Sequence, residues 1–176
     1  LDAITSGDGN TAVGYHSLTA LTSGGKNTAV GAWSLQALET GSDNVALGVG
    51  AVEATTTSGN TGIGYHSLRH NSDGGDNTAV GRYAGYGANT SNSVFIGKNA
   101  LPFQTNAGSP PDGGTNQIVI GAEITGTGNN EIALGNTSIS AIKAQVTSIT
   151  GYSDSRIKKD IRNSDLGLAF INKLRP

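Results

Sequence analysis

The feature that most constrains this chain is a five-residue rung, Asn27-Thr28-Ala29-Val30-Gly31, whose relatives return at nearly fixed spacing. The rungs end at Gly14, Gly31, Gly48, Gly64, Gly81, Gly97, Gly121 and Gly135, giving gaps of 17, 17, 16, 17, 16, 24 and 14 residues. A near-period of this length marks a repeat architecture, in which each unit is too short to bury its own apolar face and must stack on its neighbours. Side chains alternate along a strand, so the residues one and three before each glycine share a face. They are Val13 with Thr11, Leu47 with Val45, Ile96 with Val94, Ile120 with Ile118 and Leu134 with Ile132. Such residues suit a buried strand, and this face is expected to be the core face. Between them stand Ala12, Ala29, Ala46, Gly62, Ala79 and Ala133, with Phe95 and Val119 as exceptions. Small residues there let another backbone approach from the opposite side.

A second short segment follows each glycine, as in Tyr15-His16-Ser17-Leu18, Ala32-Trp33-Ser34-Leu35 and Tyr65-His66-Ser67-Leu68. A polar turn such as Thr22-Ser23-Gly24-Gly25-Lys26 then closes the unit, with glycine supplying positive φ. Two short strands and two turns per coil predict an all-β solenoid or roll. With 35% hydrophobic residues, 27 glycines and 14% charged residues, the composition excludes a helical bundle and a charged disordered tail. Aromatic residues make up only 5% of the chain. One chain's core is therefore thin, and burial between chains is expected to supplement it. A parallel homotrimer is the economical solution.

The absence of cysteine excludes a disulfide framework and a thiolate metal site. No apolar run approaches the roughly 20 residues needed to cross a bilayer, so this segment is expected not to insert into a membrane. The mildly acidic body argues against nucleic-acid binding. With no methionine and a start at Leu1, the chain reads as a fragment of a longer product.

Residues 1–135 hold the repeats. The register breaks near Pro102-Phe103, and Gln104 to Thr115 is expected to form a longer protruding loop. Residues 136–152 read as an extended neck, with strand-like residues from Ile139 to Ile149. Beyond Tyr152 the composition changes abruptly: residues 1–152 carry 5 basic and 10 acidic side chains, residues 153–176 carry 6 and 3. Leu166, Phe170, Ile171 and Leu174 have helical spacing.

The run Ser153-Asp154-Ser155-Arg156-Ile157-Lys158-Lys159-Asp160-Ile161, continued by Gly167-Leu168-Ala169-Phe170-Ile171-Asn172-Lys173-Leu174-Arg175-Pro176, resembles the opening of the intramolecular chaperone domain of phage endosialidases and tail fibres. That domain belongs to a family of self-cleaving serine peptidases, and only its start is present here. The upstream Gly-Asn-Thr-Ala-Val-Gly rungs resemble repeats of phage tail fibres and, more loosely, the heads of trimeric autotransporter adhesins. The resemblance implies that the C-terminal domain trimerises, aligns three chains and then cuts itself off. It implies Ser153 as nucleophile, Lys158 as general base and Tyr152-Ser153 as the scissile bond. A lysine can act as a base only where burial or nearby positive charge lowers its pKa, and Lys159 and Arg156 stand close in sequence. Any enzyme activity would be this self-cleaving endopeptidase. The implied role is a structural and receptor-binding segment of a phage-like tail fibre on the virion. The alternatives are a bacterial cell-surface trimeric adhesin and a glycan depolymerase.

Tyr15, Trp33, Tyr65, Tyr83 and Tyr86 lie just after their rung glycines. Such a row either stacks on sugars of a host surface glycan or covers the corner of the roll. His16 and His66 occupy equivalent rungs, and in a trimer each could form a ring of imidazoles. No carboxylate or second histidine sits at ligand spacing, so no metal and no cofactor are expected. The Asp-Gly turns lack the repeating order of calcium-binding nonapeptides.

Overall fold

The computed structural model describes residues 6–87, 89–103 and 114–141. The chain divides into two units, Leu1–Ser140 and Ala141–Pro176, and all described residues except Ala141 lie in the first. The expected loop residues 104–113, the neck from residue 142 and the helical segment at Leu166 to Leu174 lie outside the described residues.

Every rung read from the sequence is a strand. β1 (Thr11–Val13), β2 (Thr28–Val30), β3 (Val45–Leu47), β4 (Thr61–Ile63), β5 (Thr78–Val80), β6 (Val94–Ile96), β8 (Ile118–Ile120) and β10 (Ile132–Leu134) stack in that order into one eight-stranded sheet. All pairs are parallel and each rung residue faces its counterpart, as in Ala29 opposite Ala46 and Val30 opposite Leu47. Direct pairing of β6 with β8 means that the 24-residue gap adds no rung to the sheet. β7 (Ala100–Leu101) and β9 (Ile124–Thr125) form a second, two-stranded sheet. The result is a parallel β-solenoid with no helix among the described residues, and so none long and apolar enough to cross a membrane.

The structure reverses the expected strand faces. Ala29, Ala46, Ala79 and Phe95 are fully buried, while Val13 is 58% exposed, Leu47 48% and Ile96 41%. The reason is volume. Each coil's interior is already occupied by a wall of Leu18, Leu21, Leu35, Leu38 or Leu68, so only a methyl group fits beneath the strand. Where Phe95 replaces alanine, the facing wall shrinks to Gly85, at which an added Cβ would lie 3.0 Å from the Phe95 ring. The same reversal removes the expected role of the alanines in admitting a neighbouring chain.

The second segment is also not a strand in most coils. His16 and Leu18, Trp33 and Leu35, and His66 and Leu68 take left-handed φ values between 49° and 58°. Such residues cannot continue an extended strand, so the segment becomes a train of turns. It remains hydrogen-bonded from coil to coil, with Leu18 N donating to Ser34 O at 3.1 Å and Leu35 N to Ala51 O at 3.2 Å.

Two further ladders lock the stack. The rung glycines from Gly14 to Gly121 have φ between 124° and 144°, a region open essentially to glycine alone. A Cβ on Gly31 would strike Gly48 O at 2.4 Å. Just before the strands, the buried Asn27, Asn44, Asn60 and Asn77 form a side-chain column. Asn27 Oδ1 accepts from both Asn44 N and Asn44 Nδ2 at 3.0 Å, and Asn44 Oδ1 accepts from Asn60 N at 2.8 Å.

Candidate functional site

The candidate side chains are carried on the corner after each rung glycine. The second residue past the glycine is His16, Trp33, Gly50, His66, Tyr83, Asn99 or Glu123, all left-handed with φ between 52° and 60°. From Trp33 onward each N–H reaches back to the preceding coil, as Trp33 N to Tyr15 O at 2.8 Å and Tyr83 N to Tyr65 O at 2.9 Å. The corner residues therefore form a column, with Tyr15 and Tyr65 one position upstream. A parallel column, five residues past the glycine, carries Gln36, Glu53, Arg69 and Tyr86.

The aromatics proposed from sequence gather in two clusters. Tyr15 meets Trp33 edge-on at 5.9 Å between ring centroids. Tyr65 meets Tyr83 at 5.4 Å, and Tyr83 meets Tyr86 at 5.2 Å. His66 stacks on Tyr65 at 3.9 Å, and His70 joins Tyr86 through a 3.1 Å contact between Nε2 and the phenol oxygen. Arg82 lies over the Tyr83 ring at 5.1 Å, a cation–π contact. Tyr15, Trp33 and Tyr65 keep 67%, 41% and 43% of their surface exposed.

Between the clusters is a slot of about 440 Å³ lined by Trp33, Gln36, Glu53, Tyr65, His66 and Arg69. It exists because the intervening coil carries Val49 and Gly50 where its neighbours carry aromatics. His66 leans over Gly50: a Cβ there would lie 2.5 Å from His66 Cδ2 and 3.0 Å from Glu53 Oε2. Arg69 donates to Glu53 through Nε at 2.7 Å and Nη2 at 3.3 Å, a two-pronged pair whose charges cancel. Burial, and then the neighbouring Arg69 cation, lowers the His66 pKa below its ordinary 6.5. The imidazole is consequently neutral at pH 7. A separate hollow of about 530 Å³, lined by Ile124, Ile132 and Leu134 among others, lies at the last coil.

Sequence reasoning named the aromatics but missed Gln36, Gly50, Glu53 and Arg69. Aligning the coils on their glycines would have found them, since three of them fall five residues past a rung glycine. Ser153, Lys158 and the Tyr152-Ser153 bond lie outside the described residues. Among the described residues no group of three His, Cys, Asp or Glu could hold a metal ion. Compared with family models, curated proteins and solved structures, the chain finds a match in none of the three.

Proposed function

We propose that this chain is the shaft-like, surface-contacting part of a trimeric phage-type tail fibre, borne on the virion and contacting a host glycan. In this reading three solenoids pack through their eight-stranded sheets. The segment from Ser153 belongs to a chaperone domain that aligns the chains and is released by Ser153 and Lys158. The observation that carries the reading is the outward column Val13, Leu47, Ile63, Val80, Ile96, Ile120 and Leu134, each between 37% and 58% exposed. With the half-buried Val30 on the remaining rung, the column spans eight rungs at about 4.8 Å spacing, an apolar stripe about 34 Å long. Exposed apolar surface that is contiguous and repeated marks a contact face. Covering each of these half-exposed side chains is worth about 1 kcal/mol, and the column recurs on every chain. Carboxylates and basic residues are missing from the strands themselves, so no charge opposes close approach.

Sedimentation of the wild-type chain and of Leu47→Asp tests the packing. The wild type is expected to sediment as a trimer at micromolar concentration. Leu47→Asp is expected to remain β-rich by circular dichroism but to sediment as a monomer, because Leu47 faces outward. Ala46→Asp, inside the coil, is expected to lose the fold itself. A folded wild-type monomer would refute the assembly.

A further inference from the structure

We propose that the slot over Gly50 is a binding site for an uncharged pyranose unit of a polysaccharide. This deepens the glycan-contact part of the reading above and rests on it. The slot combines the two kinds of surface a sugar ring presents. Trp33 and Tyr65, 41% and 43% exposed, supply aromatic carbon for the axial C–H side of a pyranose. Between them the Glu53–Arg69 pair and the Gln36 amide supply acceptors and donors for vicinal hydroxyls. Only two of the five Arg69 N–H groups engage Glu53, and each carboxylate oxygen keeps a free lone pair. Neutral His66 adds one donor and one acceptor.

Charge decides the class of sugar. The lining holds one carboxylate and one guanidinium, bonded to each other, and no unpaired ion. An anionic sugar would have to oppose Glu53 or break its pair with Arg69, and a cationic sugar would have to compete with Arg69. A neutral hexose or N-acetylhexosamine does neither. The volume of about 440 Å³ falls in the range of small-molecule sites and is open along the surface, as a chain passing through requires. Repetition of the slot on each chain of a trimer multiplies a weak single contact by avidity.

Trp33 is the only tryptophan in the chain, so its fluorescence reports on this slot alone. The full chain is titrated with neutral hexaoses of glucose, mannose, galactose and N-acetylglucosamine, and with oligogalacturonate and oligosialate as anionic counterparts, to about 10 mM, the range of single weak contacts. The expected result is a saturable change in Trp33 emission with at least one neutral hexaose and none with the anionic series. Glu53→Gln should weaken binding about tenfold, the loss of one charge-assisted hydrogen bond. Gly50→Asn should abolish it by filling the slot, and its fold should survive because Asn99 occupies the equivalent corner at φ 52°. Lys26→Ala, in an exposed turn outside the slot, should leave the affinity unchanged. Silence with every neutral hexaose, a response to the anionic series alone, or binding unaffected by Gly50→Asn would overturn the site. Sedimentation separates the two readings: a trimer that binds no neutral hexaose removes the slot alone, and a monomer that binds one removes the assembly and keeps the slot.

Discussion

Replacing Asn44 with leucine tests whether the asparagine column holds the stack together. Leucine matches asparagine in the number and branching of its side-chain heavy atoms, so the change leaves no cavity and removes the hydrogen bonds. Asn44 Nδ2 donates to Asn27 Oδ1 and to Thr57 O, both at 3.0 Å, and its Oδ1 accepts from Asn60 N at 2.8 Å. The substitution strands the buried Asn60 N–H, at about 1–3 kcal/mol. It also strips one donor from each of two acceptors, the buried Asn27 Oδ1, which keeps its bond from Asn44 N, and the half-buried Thr57 O, at about 0.5–1.5 kcal/mol apiece. The apolar gain of leucine offsets about 1 kcal/mol of this. The net loss is about 3 kcal/mol, or roughly 6–12 °C in Tm for a domain of this size. Urea unfolding followed by circular dichroism at fixed chain concentration measures it. Lys26→Ala serves as the control, since Lys26 is exposed and its backbone bond to Asp8 O survives; a change of about 0.5 kcal/mol or less is expected there. If Asn44→Leu unfolds at the same urea concentration as Lys26→Ala, the column is not what locks the coils.

Two other expectations can be checked alongside. The His66 pKa is lowered by burial and by Arg69, against the opposing pull of Glu53 and with a further lowering from His70; the unfolded chain therefore binds the proton more readily. Stability should be constant above about pH 6.5 and fall as pH drops through 6.5 towards the folded value, with the loss complete below that value. An NMR titration of the His66 ring with a midpoint at or above 6.5 would contradict this. On the proposed reading, a product that carries the complete C-terminal chaperone domain should split at Tyr152-Ser153 without added protease. Ser153→Ala and Lys158→Arg should stay intact yet assembled, since an arginine remains protonated at working pH; intact mass decides, and normal cleavage in Ser153→Ala removes the mechanism.

The strand positions were legible because the glycine-ended rungs keep their register residue by residue, from Thr11 opposite Thr28 to Ile132 opposite Ile118. Their orientation was not. A period of two separates two faces but does not say which one points inward when both can be covered, one by the chain's own coil and the other by a partner. The deciding quantity is the volume left inside the coil, which depends on the Leu18, Leu35 and Leu68 wall some five residues past each strand. Phe95 paired with Gly85 carried that information, since a large residue on the strand is matched by a missing side chain on the wall. The slot was invisible for a related reason. Glu53 and Arg69 stand 16 residues apart, and only stacking places them side by side.

The left-handed corners were equally hidden, because His16, Trp33, Leu35 and Val52 carry none of the usual signals for positive φ. Among the described residues sixteen non-glycine residues adopt it, each at an energetic cost of order 1 kcal/mol, and Val52 is β-branched, the least tolerant kind. An isolated coil therefore has strain and almost no buried surface to offset it. What holds the corners is the next coil: Trp33 N finds Tyr15 O, Gly50 N finds Ala32 O, and Val52 N finds Ser67 O, each at 2.8 Å. Strain within a coil and backbone bonding that runs mainly between coils make the first stacked pair the hard step and every later coil easier, as in other one-dimensional repeats. A chain built this way needs something to hold its first coils in register. In the proposed trimer the in-register apolar column on the sheet would supply that, which is the physical reason for placing the proposed contact on that face.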